Sequence, residues 1–174
     1  MNKSFSVLVI SLILFSVLLF GCTALDPNAE KKSLEQFSKL QKSYGVEDSF
    51  SPILGTMNDY ITDLAVVASS APAGTKKFID AELFSASAFY YLNRALDESQ
   101  LVDYQNLRCS AIEVKSTMEL INMASTYQAK AVLAISTLTE GELKNLRLNQ
   151  LGTVKGFDNQ ISQIKAFFDE KCFS

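Results

Sequence analysis

The sequence contains no histidine and no tryptophan, and only three prolines and seven glycines in 174 residues. Without histidine the chain lacks the side chain that changes charge near neutral pH, and with it the commonest transition-metal ligand. Ser-His-Asp and Cys-His nucleophile chemistry are excluded, as are di-iron sites built on Glu-x-x-His pairs. Without tryptophan the core must be built from Leu, Ile, Val, Phe, Ala and Met. No dinucleotide or P-loop glycine pattern occurs. The stretch "GTVKGF" at 152–157 has two glycines four apart and one lysine, but it lacks the Lys-Ser/Thr ending of a phosphate loop. Basic residues are scattered and number 16 against 19 acidic ones. The basic footprint of a nucleic-acid binder is therefore missing. No cofactor, no metal and no catalysis are expected. Period-two alternation persists nowhere, so no strand is expected.

What is there begins at the amino terminus. After Lys3 the chain carries no charge over 4–25, with a core of Leu, Val, Ile and Phe. In helical form this run is about 33 Å long, enough for a bilayer core of roughly 30 Å. It reads as a secretory h-region or a short membrane anchor. The run ends in "LFGC", which resembles the lipobox of prokaryotic lipoproteins. Leu19 stands at minus 3, Gly21 at minus 1 and Cys22 at plus 1, while Phe20 is larger than the usual residue at minus 2. The resemblance implies cleavage after Gly21, so that 1–21 is a signal peptide, and diacylglycerol on the Cys22 thiol. Two or more palmitate-class acyl chains would hold a folded domain firmly at a membrane, where a single chain is marginal. Cleavage would remove Lys3 and leave the chain one charge more negative than −3. Residues 22–28 read as a tether and 29–174 as a single domain.

Apolar spacing of three and four predicts helices throughout. The first spans about 29–44, with Leu34, Phe37 and Leu40 or Gln41 on its apolar face and Asn28 as cap. The second covers 53–68, with Met57, Ile61, Leu64 and Val67 or Ala68 on one side. "SSAPAG" at 69–74 is the clearest linker, with Thr75 as the next cap. Between Gly74 and Gly141 there is neither glycine nor proline. One helix over that stretch would be about 100 Å long, so a hidden turn is expected in "LDESQLVDYQN" at 96–106. Asp97 with Gln100 resembles a capping box there, and Asn106 is a second cap. The third helix is then placed at 76–96 and the fourth from 102 or 106 to 139. Leu107, Ala111, Val114, Met118, Ile121, Ser125, Gln128, Val132 and Ile135 form the fourth helix's seam. A turn at Glu140 and Gly141 leads into a fifth helix, 142–171, with Val154, Phe157, Ile161, Ile164 and Phe168 on its face. The expected fold is all-α: an up-and-down bundle of four to five helices with a long antiparallel C-terminal hairpin.

Three cysteines look odd for an exported chain until Cys22 is set aside as the lipid attachment point. Cys109 and Cys172 are then an even pair in a disulfide-permissive compartment. They lie equally far from a turn centred between Glu140 and Gly141, so an antiparallel hairpin brings them to one height and a disulfide is expected. The same register sets Val114 at about the height of Phe167, Ile121 at that of Gln160 and Ile161, and Leu138 at that of Leu143; these are axial levels and not contacts.

Asp97, Glu98 and Asp103 read as a solvated helix end, and Asp169 and Glu170 as surface. The aromatic stretch 81–96 holds Tyr90 and Tyr91. Neighbours on a helix point about 100° apart, so Phe84, Phe89 and these two tyrosines cannot all face one core, and at least one of Tyr90 and Tyr91 should be partly exposed. With Ser125 and Gln128, which interrupt the apolar seam, they make a candidate interaction or ligand surface. The functional expectation is a membrane-anchored extracytoplasmic lipoprotein of the cell envelope, acting through contacts with another envelope protein. Assembly helper, secretion pilot, exclusion or immunity factor and structural spacer are the roles that fit. The alternative is a carrier or sensor of an apolar small ligand.

Overall fold

A computed structural model describes residues 27–47, 54–143 and 148–172. The uncharged run, Cys22 and most of the tether lie outside the described residues. Within them the fold is all-α: six helices and no strand. They are α1 (Pro27–Ser43), α2 (Leu54–Ser70), α3 (Ala73–Ser99), α4 (Ile112–Ser136), the single turn α5 (Glu140–Leu143) and α6 (Leu148–Cys172). None of the described helices is long and apolar enough to cross a membrane.

The helix ends follow local chemistry. Helix α1 starts at Pro27, inside the expected tether, because proline suits a first helical position. It stops at Gly45, whose φ of 63° is left-handed. There the Val46 N–H donates to the Gln41 carbonyl and the Gly45 N–H to the Lys42 carbonyl, which closes a Schellman turn. The linker expected over 69–74 shrinks to two residues, and Thr75 is buried inside α3 rather than capping it. The hidden turn occupies 100–111. Gln100 ends α3, with its N–H donating to the carbonyls of Asp97 and Glu98, so Asp97 caps no helix start. Asp103 instead organises the loop, its Oδ1 accepting from the N–H groups of Gln105 and Asn106. The N-cap of α4 is Ala111, five residues past the Asn106 expected for that role. Gly141 lies within α5, where a loop was expected.

Helix α3 is the centre of the bundle. One side packs Ile79 and Ala86 against Phe37 and Val46 and against Met57, Tyr60, Leu64 and Ala68 of α2. The other side packs Ala88, Leu92 and Ala95 against Ile121, Ala124 and Ala131 of α4 and Val154, Phe157 and Ile161 of α6. The contact of α3 with α4 is the most extensive between any two helices, and small residues make it. Ala81, Ala88 and Ala95 repeat every seven residues on α3, while Thr117, Ala124 and Ala131 do so on α4, and all six are buried. The expected seam of α4 is thus half right. Val114, Ile121 and Ile135 are buried, but the second column falls one residue earlier than Met118, Ser125 and Val132. Alanine lets the two backbones approach and brings more atoms into van der Waals range. The bulkier Met118 and Val132 stay at the rim. In α1 the buried positions are Ser33 and Phe37, and Leu34 is partly exposed. The face expected on α6 is observed, with Ile164 half-buried.

Cys109 and Cys172 form a disulfide with Cα atoms 5.3 Å apart. Cys172 is the last residue of α6, whereas Cys109 lies in the 100–111 loop rather than inside a helix. Val102, Val114 and Phe168 make a small buried cluster beside the bond, with Cys172 packed against it. Val114 shares its cluster with Phe168, one residue from the Phe167 expected at its height, and Ile121 shares a cluster with Ile161. The Leu138 and Leu143 pairing falls on a side chain outside the described residues.

Candidate functional site

Two features stand out from the packing. The first is a carboxylate inside the first core. Glu82 is 1 % exposed, on the face of α3 that meets α1 and α2. The Tyr60 hydroxyl donates to its Oε1 at 2.7 Å and the Gln41 amide donates to the same atom at 3.3 Å. Burying a carboxylate is costly unless donors satisfy it, and these two come from different helices. The group thereby ties α1, α2 and α3 together. The sequence reading passed over Glu82, although it falls on the same helical face as Ile79 and Ala86.

The second feature is an aromatic and cationic surface where α3 meets α4. The sequence-selected Tyr90 and Tyr91 are both half-buried and divide between the two cores. Their rings stand edge to face at 5.2 Å. Tyr91 lies flat on Tyr127 of α4, centroids 5.5 Å apart and planes 9° from parallel, and Phe84 follows at 6.5 Å from Tyr127. A cation stands at each end of this row. The Arg94 guanidinium lies 5.9 Å from the Tyr90 ring and donates to its hydroxyl at 3.2 Å. The Lys130 ammonium lies 5.1 Å from the Tyr127 ring and 5.8 Å from that of Phe84. Such contacts are worth about 0.5–1 kcal/mol each at exposed positions. Burial pushes the Tyr91 phenol above its ordinary value, the neighbouring phenols of Tyr127 and Tyr90 add to this, and Arg94 opposes it. Ser125 and Gln128 are half-buried on α4. Among the described residues no hydrogen bond joins them to Tyr90 or Tyr91. Sequence spacing missed Tyr127 and Lys130 because they come from a different helix.

Tyr127 and Lys130 also belong to an open groove of about 600 Å³ along α4, reaching back through Met123 and Met118 to Val114 and Cys109. A second cavity of about 350 Å³ sits at the disulfide end between the 100–111 loop and the start of α4, with Leu101, Val102 and Arg108 in its wall. Around that end Leu101 and Ile112 are 66 % and 76 % exposed. Tyr104 packs edge to face on Phe167 there at 5.5 Å.

The acidic residues noted in the sequence serve local structure. Glu98 accepts from the Ser116 hydroxyl across the α3 and α4 pair at 3.2 Å, and Asp103 holds its own loop. Hydrogen bonds from Asn106, chiefly its side chain, keep the Asp103 carboxyl below its ordinary value. Glu170 accepts from Lys171 beside it. The stretch 152–157 is an interior part of α6 that buries Val154 and Phe157, which is not the loop a phosphate cradle needs. Among the described residues no group of three or more Cys, Asp or Glu could hold a metal ion. Fold and site together define an all-α helical bundle with an aromatic and cationic groove on one helix. No protein-family model, curated protein or solved structure matches the chain.

Proposed function

We propose that the protein is a membrane-anchored extracytoplasmic lipoprotein of the cell envelope that acts through protein–protein contacts and not as an enzyme. The observation that carries this reading is the Cys109–Cys172 disulfide. It accounts for two of the three cysteines and leaves Cys22, the one that follows "LFG" at the end of the uncharged run, as the thiol available for acylation. Stable disulfides belong to oxidising compartments, the same destination that the uncharged run implies. The reading takes the bundle as up-and-down, with α4 and α6 an antiparallel hairpin stapled at its open end. The shared clusters of Val114 with Phe168 and Ile121 with Ile161 support that direction. The exposed Leu101, Tyr104 and Ile112 beside the staple supply apolar area for a partner.

Intact mass of the protein extracted from membranes tests the anchor. Loss of residues 1–21 and acyl mass on Cys22 are expected, and Cys22→Ser should block processing by the lipoprotein peptidase. A Cys22→Ser product of unchanged lipid content would refute the attachment point. Affinity capture from detergent-solubilised envelopes tests the contact role, and recovery of no stable partner would count against it. A second reading, a carrier of an apolar ligand, is favoured by one observation, the methionine-lined groove on α4.

A further inference from the structure

We infer that the α4 groove binds a long-chain fatty acid, with the acyl chain along Met118, Met123 and Tyr127 and the carboxylate at Lys130. The inference deepens the carrier reading and rests on it; it is independent of the lipid anchor. The groove follows α4 from Val114 to Lys130, and 16 residues of helix rise about 24 Å. A site that long suits one extended chain better than a compact molecule. Its floor is adaptable: Met118 and Met123 are unbranched and polarizable, which fits a flexible hydrocarbon.

The polar end is set by charge. Between Glu119 and Glu140 the chain has no acidic residue, and Lys130 is its single basic one. Among the described residues no carboxylate lies within ion-pair distance of the Lys130 ammonium, which rests over the rings of Tyr127 and Phe84. Those rings hold the ammonium at the groove's end without neutralising it, so it can take an anionic head. The other lysine of the groove, Lys115, has Glu119 one helical turn away, and that carboxylate disfavours an anion there. The groove thus has one end suited to a carboxylate and a remainder whose exposed surface is mostly apolar, with Lys115, Glu119, Asn122 and Thr126 among the apolar side chains that line it. A fatty acid has the same two parts.

Photolabelling tests this on the full-length protein in its native membranes. The probe is a palmitic acid analogue carrying a diazirine in its chain, and labelled residues are located by fragment mass spectrometry. Label should concentrate on 116–130 and should fall on addition of unlabelled palmitate, while hexadecanol, which lacks the carboxylate, competes about tenfold less well. Lys130→Glu should reduce labelling about tenfold and Lys130→Arg should retain it, and equal thermal midpoints check that both variants fold. Label spread evenly over the chain, or unaffected by palmitate, overturns the inference and the carrier reading together. Label on 116–130 that hexadecanol displaces equally well, or that Lys130→Glu leaves unchanged, overturns the fatty-acid inference and leaves an apolar-ligand carrier standing. If Lys130→Glu fails to fold, the hexadecanol comparison on the wild type decides alone. The Cys22→Ser variant should label as the wild type does, which separates this result from the fate of the anchor.

Discussion

Removing the Cys109–Cys172 bond should be the single most destabilising change that leaves every core side chain in place. The two cysteines are 63 residues apart in sequence. A cross-link closing a loop of that size lowers the entropy of the unfolded chain, and the chain-entropy relation puts the gain at about 4 kcal/mol near 25 °C. That is a large share of the roughly 5–15 kcal/mol that keeps a domain folded. For a domain of this length the loss should lower the thermal midpoint by roughly 8–16 °C. The native side of the balance changes little, because Val102, Val114 and Phe168 stay packed beside the site. The assay is urea unfolding of the Cys109→Ala/Cys172→Ala double variant against the oxidised wild type, followed by circular dichroism. Wild type held in reductant provides a second route to the open loop. Both should lose about 4 kcal/mol, with a steeper denaturant dependence as the unfolded chain expands. A loss under about 1 kcal/mol by both routes, with unchanged slope, would refute the reasoning. It would mean that the unfolded chain already holds 109 and 172 together.

Tyr60→Phe removes a donor to the buried Glu82 and keeps the ring, so it should cost about 1–3 kcal/mol in chemical denaturation; no change would show that the hydroxyl is dispensable to that carboxylate. Thr117→Val should stabilise by about 1 kcal/mol, because the Thr117 hydroxyl is fully buried with no hydrogen-bond partner among the described residues. A lower midpoint for that variant would show that the Thr117 hydroxyl is satisfied in the folded protein and would refute this reasoning. Glu142 is held down to about 2, first by the hydrogen bond from Lys77 and then by those from Thr139. Its folded value is depressed, so its contribution is present above its ordinary 4.5 and is lost as pH falls toward 2. Thermal midpoints of wild type and Glu142→Gln should therefore differ near neutrality and converge as pH drops through that window; a constant difference down to pH 2 would dispose of the Lys77 contact.

Much of the fold was legible in the residues. Spacings of three and four, with no sustained alternation, specified helices, because a helix must bury one stripe and the stripe repeats with its turn. Gly45 and Pro72 marked boundaries, the glycine because it reaches the left-handed conformation that ends a helix and the proline because its ring fixes φ and leaves no N–H to donate. Parity and helical register in the sequence are enough to pair Cys109 with Cys172. Other decisions needed the neighbour. Hydropathy ranks Met118 and Val132 above Thr117, Ala124 and Ala131, yet the smaller residues are inside. Close approach of two helices rewards small volume, and volume has value only when the opposing surface, Ala81, Ala88 and Ala95, is known. Glu82 reads as a surface charge until Tyr60 and Gln41 arrive from other helices to satisfy it. The contact that sets the Lys130 ammonium over the rings of Tyr127 and Phe84 exists only where α3 and α4 meet. Local sequence sets the period and the breaks of each helix because those depend on its own backbone, whereas which side chain is buried, paired or left facing a groove depends on a partner distant in the chain.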